Sequence, residues 1–524
     1  MNPANLVLAI SSGILLAVAF PTFDFHLLIW VALVPFFFAL RGKTTKHGFW
    51  LGGITGIVFF TGTIYWVTNS VHFYGGIPLI PASLITLLLC AFLALYISIF
   101  GAAASHFKRH YPSVFFLVMP AFWTALELAR TYVFSGFPWS LLGYSQYRVL
   151  PLIQFADITG VYGVSFLIVL VNASIADFLM DRKKYVGLIV SLIVVLLALT
   201  YGSAKLYKPD GTGEITIAVI QGNIEQDKKW DQAYQAETIS VYKRLTSKTI
   251  EQHPDLVIWP ETATPFYFTG ARENDRRLTA DLIAFVKQNR ISLLFGSPTF
   301  EIKPDQTIVG RNSVFLLSPN GNITSVYHKI HLVPFGEYVP LKKVLFFVDK
   351  MVEAIGDFQA GDEFTVMPLV SEKAGRLQET KLSAVICYEI IFPDLVRQFV
   401  KRGANIIATV TNDAWFGASA APYQHFSMVV FRAIENRVPV ARAANTGISG
   451  FIDSKGHILA TSKIFTECYL TRKVMPGTER TFYTNYGDLF SYICVALCIL
   501  ILILTMRPAP DDQGRLRSKK NHRR

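Results

Sequence analysis

LSAVICYEIIFP, residues 382–393, decides the reading of this chain. An apolar, β-rich run of Leu382, Ala384, Val385 and Ile386 delivers a lone cysteine, Cys387, with Tyr388 and Glu389 directly behind it. Open α/β sheets place their chemistry at the C-terminal ends of buried strands, which is where Cys387 stands. A free thiol is only a few per cent thiolate near neutral pH, so a nucleophilic cysteine needs a base and a positive neighbour. Two other stretches offer them. LVIWPET, residues 256–262, is a second apolar strand ending on Glu261, and YHKIHLVPFGE, residues 327–337, holds Lys329 just after the strand-like run 323–327. Taken singly, Glu261 is an exposed strand-end carboxylate and Lys329 a solvated loop cation. Together with Cys387 they make a base, an oxyanion-stabilising cation and a nucleophile.

The 524 residues are 52% hydrophobic and only 16% charged, too apolar for a wholly soluble protein. The apolar excess is uneven. Residues 1–204 are dominated by apolar runs, 205–486 have ordinary globular composition, 487–506 are apolar again, and 507–524 form a polar, basic tail. The net charge of +12 sits in loops and a tail beside the apolar runs, the pattern of a membrane protein rather than a nucleic-acid binder. Cys90, Cys494 and Cys498 fall in apolar runs as small buried side chains. A Cys387–Cys468 disulfide would silence the nucleophile. No metal-ligand spacing and no phosphate-cradling glycine loop is present, so neither a metal nor a nucleotide cofactor is expected.

Hydropathy predicts about eight membrane helices, at 5–20, 26–40, 49–67, 82–104, 113–133, 158–179, 185–201 and 489–506. The first two are short for full spans and are read as a pair. Arg41, Lys43 and Lys46 share one loop, Lys108 and Arg109 another, and Arg182, Lys183 and Lys184 a third, whereas loop 69–76 has no Lys or Arg. Basic loops stay cytoplasmic, so both termini are expected inside and residues 205–486 outside. Within that block, core strands are expected at 215–221, 256–260, 292–296, 313–317, 383–388, 406–411 and 438–443, with helices at 233–252, 275–289 and 424–436. Such alternation makes a layered α/β domain. Glu127 and Arg130 are ionisable residues on one face of an apolar helix, read as an ion pair or a headgroup contact.

These stretches resemble the nitrilase superfamily, whose members carry a Glu-Lys-Cys triad on an αββα sandwich. Gln221-Gly222-Asn223, Trp230, HLVPFGEYVP (331–340), CYEIIFP (387–393) and TNDAWFG (411–417) are similar to one membrane-embedded branch of it, the apolipoprotein N-acyltransferases. The resemblance runs over almost the whole chain and departs nowhere at the triad positions. It implies a multi-pass helical membrane domain plus a periplasmic nitrilase-like domain in the bacterial inner membrane. It implies catalysis by Glu261, Lys329 and Cys387, supported by Glu337, Tyr388 and Glu389. The acyl donor would be a phospholipid, the acceptor the α-amine of a diacylglyceryl-cysteine at a lipoprotein N-terminus, and no cofactor is needed. The backbone N–H of Tyr388 would be the second oxyanion donor. His328 and His331 flank Lys329, but the superfamily pattern gives the base role to glutamate.

Substrate contacts are expected at Trp230 and Trp415, although Trp230 reads equally well as a core residue. Residues 341–358, LKKVLFFVDKMVEAIGDF, set Phe346 and Phe347 between lysines, as an amphipathic lid or as a docked core helix. Two other functions fit parts of the pattern. A membrane-tethered nitrilase-type amidase shares the triad but hydrolyses its intermediate. A transporter with an accessory domain needs polar residues spread through several spans, and mainly Glu127 and Arg130 are found.

Overall fold

The structure, a computed structural model, describes residues 2–208, 213–229, 231–270, 272–302, 306–338, 358–373 and 376–506. Trp230, Phe346, Phe347 and the basic tail 507–524 lie outside the described residues.

Four helices are long and apolar enough to cross a membrane: Thr45–Ile64, Leu79–His110, Val161–Met180 and Val186–Tyr207. Pro3–Val18 and Leu489–Leu504 are shorter apolar helices. Phe115–Tyr132 packs among them and carries Pro120, Glu127 and Arg130. The expected span 26–40 is not one helix. A 3-10 turn, His26–Trp30, is followed by a separate short helix, Val34–Ala39, which Pro35 starts because its missing N–H is not needed in a first turn. Thr45–Ile64 and Leu79–His110 make the closest helix pair. A Cβ on Gly52 would lie 2.3 Å from the carbonyl of Ile97, and one on Gly56 would lie 2.8 Å from Ala94, so the glycine spacing lets the two backbones touch.

Among the described residues, twelve strands form two six-stranded sheets. They are β1 (Ile215–Gln221), β2 (Leu256–Ile258), β3 (Leu293–Ile302), β4 (Ile308–Leu317), β5 (Ile323–His328), β6 (Met367–Lys373), β7 (Arg376–Ile386), β8 (Ile406–Thr411), β9 (Val440–Ala444), β10 (Gly450–Ile452), β11 (Ile458–Thr461) and β12 (Cys468–Val474). The orders are β12-β1-β2-β3-β4-β5 and β11-β10-β9-β8-β7-β6. Each sheet has three parallel central strands, β1-β2-β3 and β7-β8-β9, flanked by antiparallel ones.

Alternation along the strands assigns the layers. Ile217, Val219, Leu256, Ile258 and Leu294 share one core with Leu382, Ala384, Ile386 and Ile407 of the other sheet. Their neighbours Ala218, Ile220, Val257, Leu293 and Phe295 pack outward with residues of the helices Gln235–Ser247 and Glu273–Asn289. The result is helix, sheet, sheet, helix. Strands buried on both faces read as unbroken apolar runs, which is why 215–221 and 406–411 were recognisable end to end.

The sandwich is fastened to the helix bundle through Gln424. Its Oε1 accepts from Nε1 of Trp66 (3.3 Å) and of Trp139 (2.7 Å), and its Nε2 donates to the carbonyls of Pro21 (3.0 Å) and Thr63 (3.1 Å). One buried amide thus uses every group it has on three separate loops of the bundle.

Candidate active site

Three loops meet where β2, β5 and β7 end. β2 is anchored at its exit by Trp259, which stacks on Tyr242 at 5.1 Å and donates from Nε1 to Thr246. Pro260 and Glu261 follow, and Thr262 turns into the left-handed region with φ 49°. Gly296 of the neighbouring β3 presses against this turn: a Cβ there would stand 2.7 Å from Glu261 Cα and 2.5 Å from the Thr262 nitrogen. Only glycine leaves room for it. The Glu261 carboxylate is buried, with Oε1 accepting from Asn312 Nδ2 (2.8 Å) and Oε2 from the Asn412 N–H (3.0 Å).

Lys329 comes off the end of β5 and is 1% exposed. Its Nζ lies 2.9 Å from Glu337 Oε2 and 3.8 Å from Glu261 Oε1. Burial works against its charge, but Glu337 and Glu261 outweigh burial and hold its pKa above the ordinary lysine range. Asn312 also donates to Glu337 Oε1 (2.9 Å), so one amide spaces the two carboxylates around the ammonium.

Cys387 ends β7 in the left-handed region, φ 53°, which a non-glycine residue holds only when its surroundings impose it. Two groups impose it. Glu389 Oε2 accepts from the Ile386 N–H at 2.7 Å, and His425 Nε2 donates to the Cys387 carbonyl at 3.3 Å. Nδ1 of His425 lies 3.0 Å from the Arg442 guanidinium and 3.1 Å from Asp413 Oδ1, and Arg442 is itself paired with Asp413 (2.9 Å). All three side chains are fully buried. Burial lowers the pKa of His425, with Arg442 adding to the effect and Asp413 opposing it. The strand expected to run through Tyr388 therefore stops at Ile386, and a 3-10 turn, Cys387–Ile391, begins. The Tyr388 N–H lies in the first turn of that element, where an N–H has no intrahelical acceptor.

Burial, then Glu261, raise the Cys387 pKa, while Lys329 and a hydrogen bond with Thr411 pull it down; the net direction is up. The resting thiol is neutral. Attack on a carbonyl then requires proton removal in the same step; of the carboxylates that act on the thiol, Glu261 acts more strongly than Asp413.

The remaining expected residues fall as follows. Glu337 is the counter-charge of Lys329. Glu389 adds to the charge that holds the Lys329 ammonium without bonding it directly, and it is also a clamp: Oε1 accepts from Tyr327 Oη (2.7 Å) and the N–H groups of Ile330 (2.7 Å) and His331 (3.1 Å). It ties the Lys329 loop to the Cys387 turn. The Tyr388 hydroxyl donates to the Gly136 carbonyl of the bundle (3.1 Å). His331 packs on Phe392 at 3.9 Å, and burial together with Lys329 lowers its pKa to about 4. His328 bonds Ser313. Trp415 sits at the seam with the bundle, edge-on to Tyr74 at 4.9 Å, its carbonyl accepting from Ser70 (2.7 Å). Cys387 and Cys468 are both free.

Glu127 and Arg130 are neither an ion pair nor exposed to headgroups. Glu127 accepts from Trp123 and from the Leu142 N–H, both at 2.8 Å, and Arg130 donates to the Trp139 carbonyl at 2.9 Å. Both are buried, and both bond the backbone of the 139–142 loop. One site residue had no sequence signal at all. Lys229 is 1% exposed and donates to the Glu261 carbonyl at 2.9 Å. Burial lowers its pKa to about 8, against the pull of Glu261 and Cys387. Among the described residues no group of His, Cys, Asp and Glu is arranged to hold a metal ion.

A buried thiol, a base and a fixed ammonium are the parts of acyl transfer through a covalent intermediate. The profile of the apolipoprotein N-acyltransferase N-terminal domain matches residues 12–174, and that of the carbon-nitrogen hydrolases matches 216–482. A protein from Geobacter metallireducens named apolipoprotein N-acyltransferase is 41% identical over 511 residues, covering 96% of this chain and 95% of its own. One of the same name from Pasteurella multocida is 34% identical over 513 residues, covering 95% and 94%. Among solved structures, a mutant of the Nesterenkonia AN1 amidase from the nitrilase superfamily aligns with a TM-score of 0.38 at 18% identity, over 55% of this chain and 100% of its own.

Proposed function

Because this chain belongs to the apolipoprotein N-acyltransferase family, with that family's N-terminal domain and a carbon-nitrogen hydrolase domain, we propose that it transfers its acyl group through a thioester on Cys387. It is an acyltransferase of lipoprotein maturation and a membrane protein. The observation that carries the finer reading is the burial of Glu261, Lys329 and Cys387 in one electrostatically connected cluster.

In the first half-reaction Glu261 takes the thiol proton as Sγ attacks the ester carbonyl of a phospholipid acyl chain. Negative charge develops on the carbonyl oxygen, facing the Lys329 ammonium and the Tyr388 N–H. The ester C–O bond breaks, the lysophospholipid leaves with the proton from Glu261, and the acyl chain stays on sulfur. In the second, the α-amine of a diacylglyceryl-cysteine attacks the thioester. Its unperturbed pKa is near ~8, so Glu261 can hold the proton it sheds. An amide forms, the thiol is restored, and no ATP or coenzyme A is consumed.

The same reading assigns residues 1–204 and 487–506 to the membrane, 205–486 to the periplasm and 507–524 to the cytoplasm of a bacterial inner-membrane protein. Trp230, Trp415, Phe346 and Phe347 would line the acyl path. The amidase alternative lacks support from the N-terminal family match. Incubation with phospholipid labelled in its acyl chain, plus a diacylglyceryl peptide, tests the reading: label in the peptide amide supports it, and label only in free fatty acid refutes it. Sidedness is tested with cysteines placed at 69–76 and at 44–46. An impermeant thiol reagent outside intact spheroplasts should reach the first set only.

A further inference from the structure

At the end of the helix bundle remote from the triad, three chain segments close around a cavity of about 280 Å³. The distance follows from the fold. Thr45–Ile64 starts beside the cavity-lining Leu40–Lys43 segment and ends two residues before Trp66, which bonds Gln424 of the sandwich. Its 20 residues rise roughly 30 Å, about the thickness of a bilayer's hydrocarbon core. The cavity and the active site therefore open at opposite faces of the membrane.

The lining is strongly cationic. Arg41, Lys43, Lys108, Arg109 and Lys184 face it, against the carboxylates Asp177 and Asp181. Lys108 is paired with Asp177, and Lys184 donates to the Pro112 carbonyl at 3.0 Å. Positive charge on this face is what membrane orientation alone selects, but orientation does not require cations from separate loops to converge on one hollow. Two of the five cations are thus engaged within the protein, which leaves Arg41, Lys43 and Arg109 around the hollow with no ion pair among the described residues. An anion with several acceptor oxygens would engage these surplus cations together.

We propose that this cavity binds a phosphate-bearing anion at the membrane face opposite the active site. Basic hollows between membrane helices suit anionic lipid headgroups, and free phosphate offers the same oxygens. The site is separate from the acyl-donor path, which belongs to the Cys387 side.

The test uses the full chain in neutral detergent. One arm adds phosphatidylglycerol or phosphatidylcholine and counts bound lipid by native mass spectrometry. The other follows thermal stability with inorganic phosphate against chloride at equal ionic strength. A lipid occupant predicts one phosphatidylglycerol retained in preference to phosphatidylcholine, with affinity about tenfold lower for Arg41→Gln and again for Arg109→Gln, as expected for losing one charge-assisted contact each. Stabilisation by inorganic phosphate, abolished by the same substitutions and without lipid preference, identifies free phosphate as the occupant. Lipid retention indifferent to both substitutions, with no phosphate effect, overturns the proposal.

Discussion

Lys329 belongs to Glu337 more than to Glu261: its Nζ stands 2.9 Å from the first carboxylate and 3.8 Å from the second. That asymmetry leaves Glu261 the freer of the two to exchange a proton. Glu337→Gln removes the competing charge at constant size, so Lys329 should move onto Glu261 and tie it up. The rate should fall about 10²-fold, as for loss of one preorganised electrostatic group, with KM nearly unchanged. Steady-state kinetics on a fluorescent phospholipid checks this. A rate within about twofold of wild type would show that Glu337 does not restrain the lysine.

The fully buried Glu389 carboxylate accepts hydrogen bonds from Tyr327, Ile330, His331 and Ile386. A glutamine has one acceptor oxygen, so Glu389→Gln must orphan at least one of these donors. The expected cost is about 1–3 kcal/mol of stability. Activity should fall with it, because the Cys387 turn and the Lys329 loop lose their common clamp. An unchanged melting temperature together with full activity would contradict the clamp.

Lys229 gives a pH prediction with a definite sign. Burial lowers its pKa from 10.5 to about 8, so the folded protein binds this proton less readily than the unfolded chain. Wild-type stability relative to Lys229→Met should therefore be lowest below pH 8 and should rise between about pH 8 and 10.5. The deficit below pH 8 is roughly 3 kcal/mol, from about 1.4 per pH unit, reduced by the bond to the Glu261 carbonyl that methionine cannot make. Denaturation of both proteins across this range measures it. A stability difference that does not change with pH would mean that folding leaves the Lys229 pKa unshifted and would contradict its burial as a desolvated ammonium.

The sequence displayed what is local and hid what is assembled. β1 and β8 were legible because both faces are buried; Glu261, Lys329 and Cys387 were grouped mainly by the family resemblance, since Glu261 and Lys329 each alone read as an ordinary strand-end or loop residue. β10, β11 and β12 went unseen: β10 is only three residues long, β11 is largely exposed and β12 mostly half-buried, so no apolar run marks them. Lys229 follows Lys228 in a polar stretch and looks solvated; only its neighbours in space bury it. Asn312 and the Asp413, His425 and Arg442 cluster come from distant elements, so no spacing announces them. Glu127 and Arg130 sit close enough to suggest an ion pair, yet the 139–142 loop, distant from neither, competes successfully for both.

The central claim is an acyl group on one sulfur. The intact mass of the protein, taken after incubation with phospholipid of a single chain length and without acceptor, tests it most directly. Wild type should gain one acyl chain, removable by neutral hydroxylamine and mapped to Cys387, and lose it when a diacylglyceryl peptide is added. Cys387→Ala, with its fold and membrane insertion intact, should gain nothing and transfer nothing. Transfer by Cys387→Ala at the wild-type rate would contradict the account.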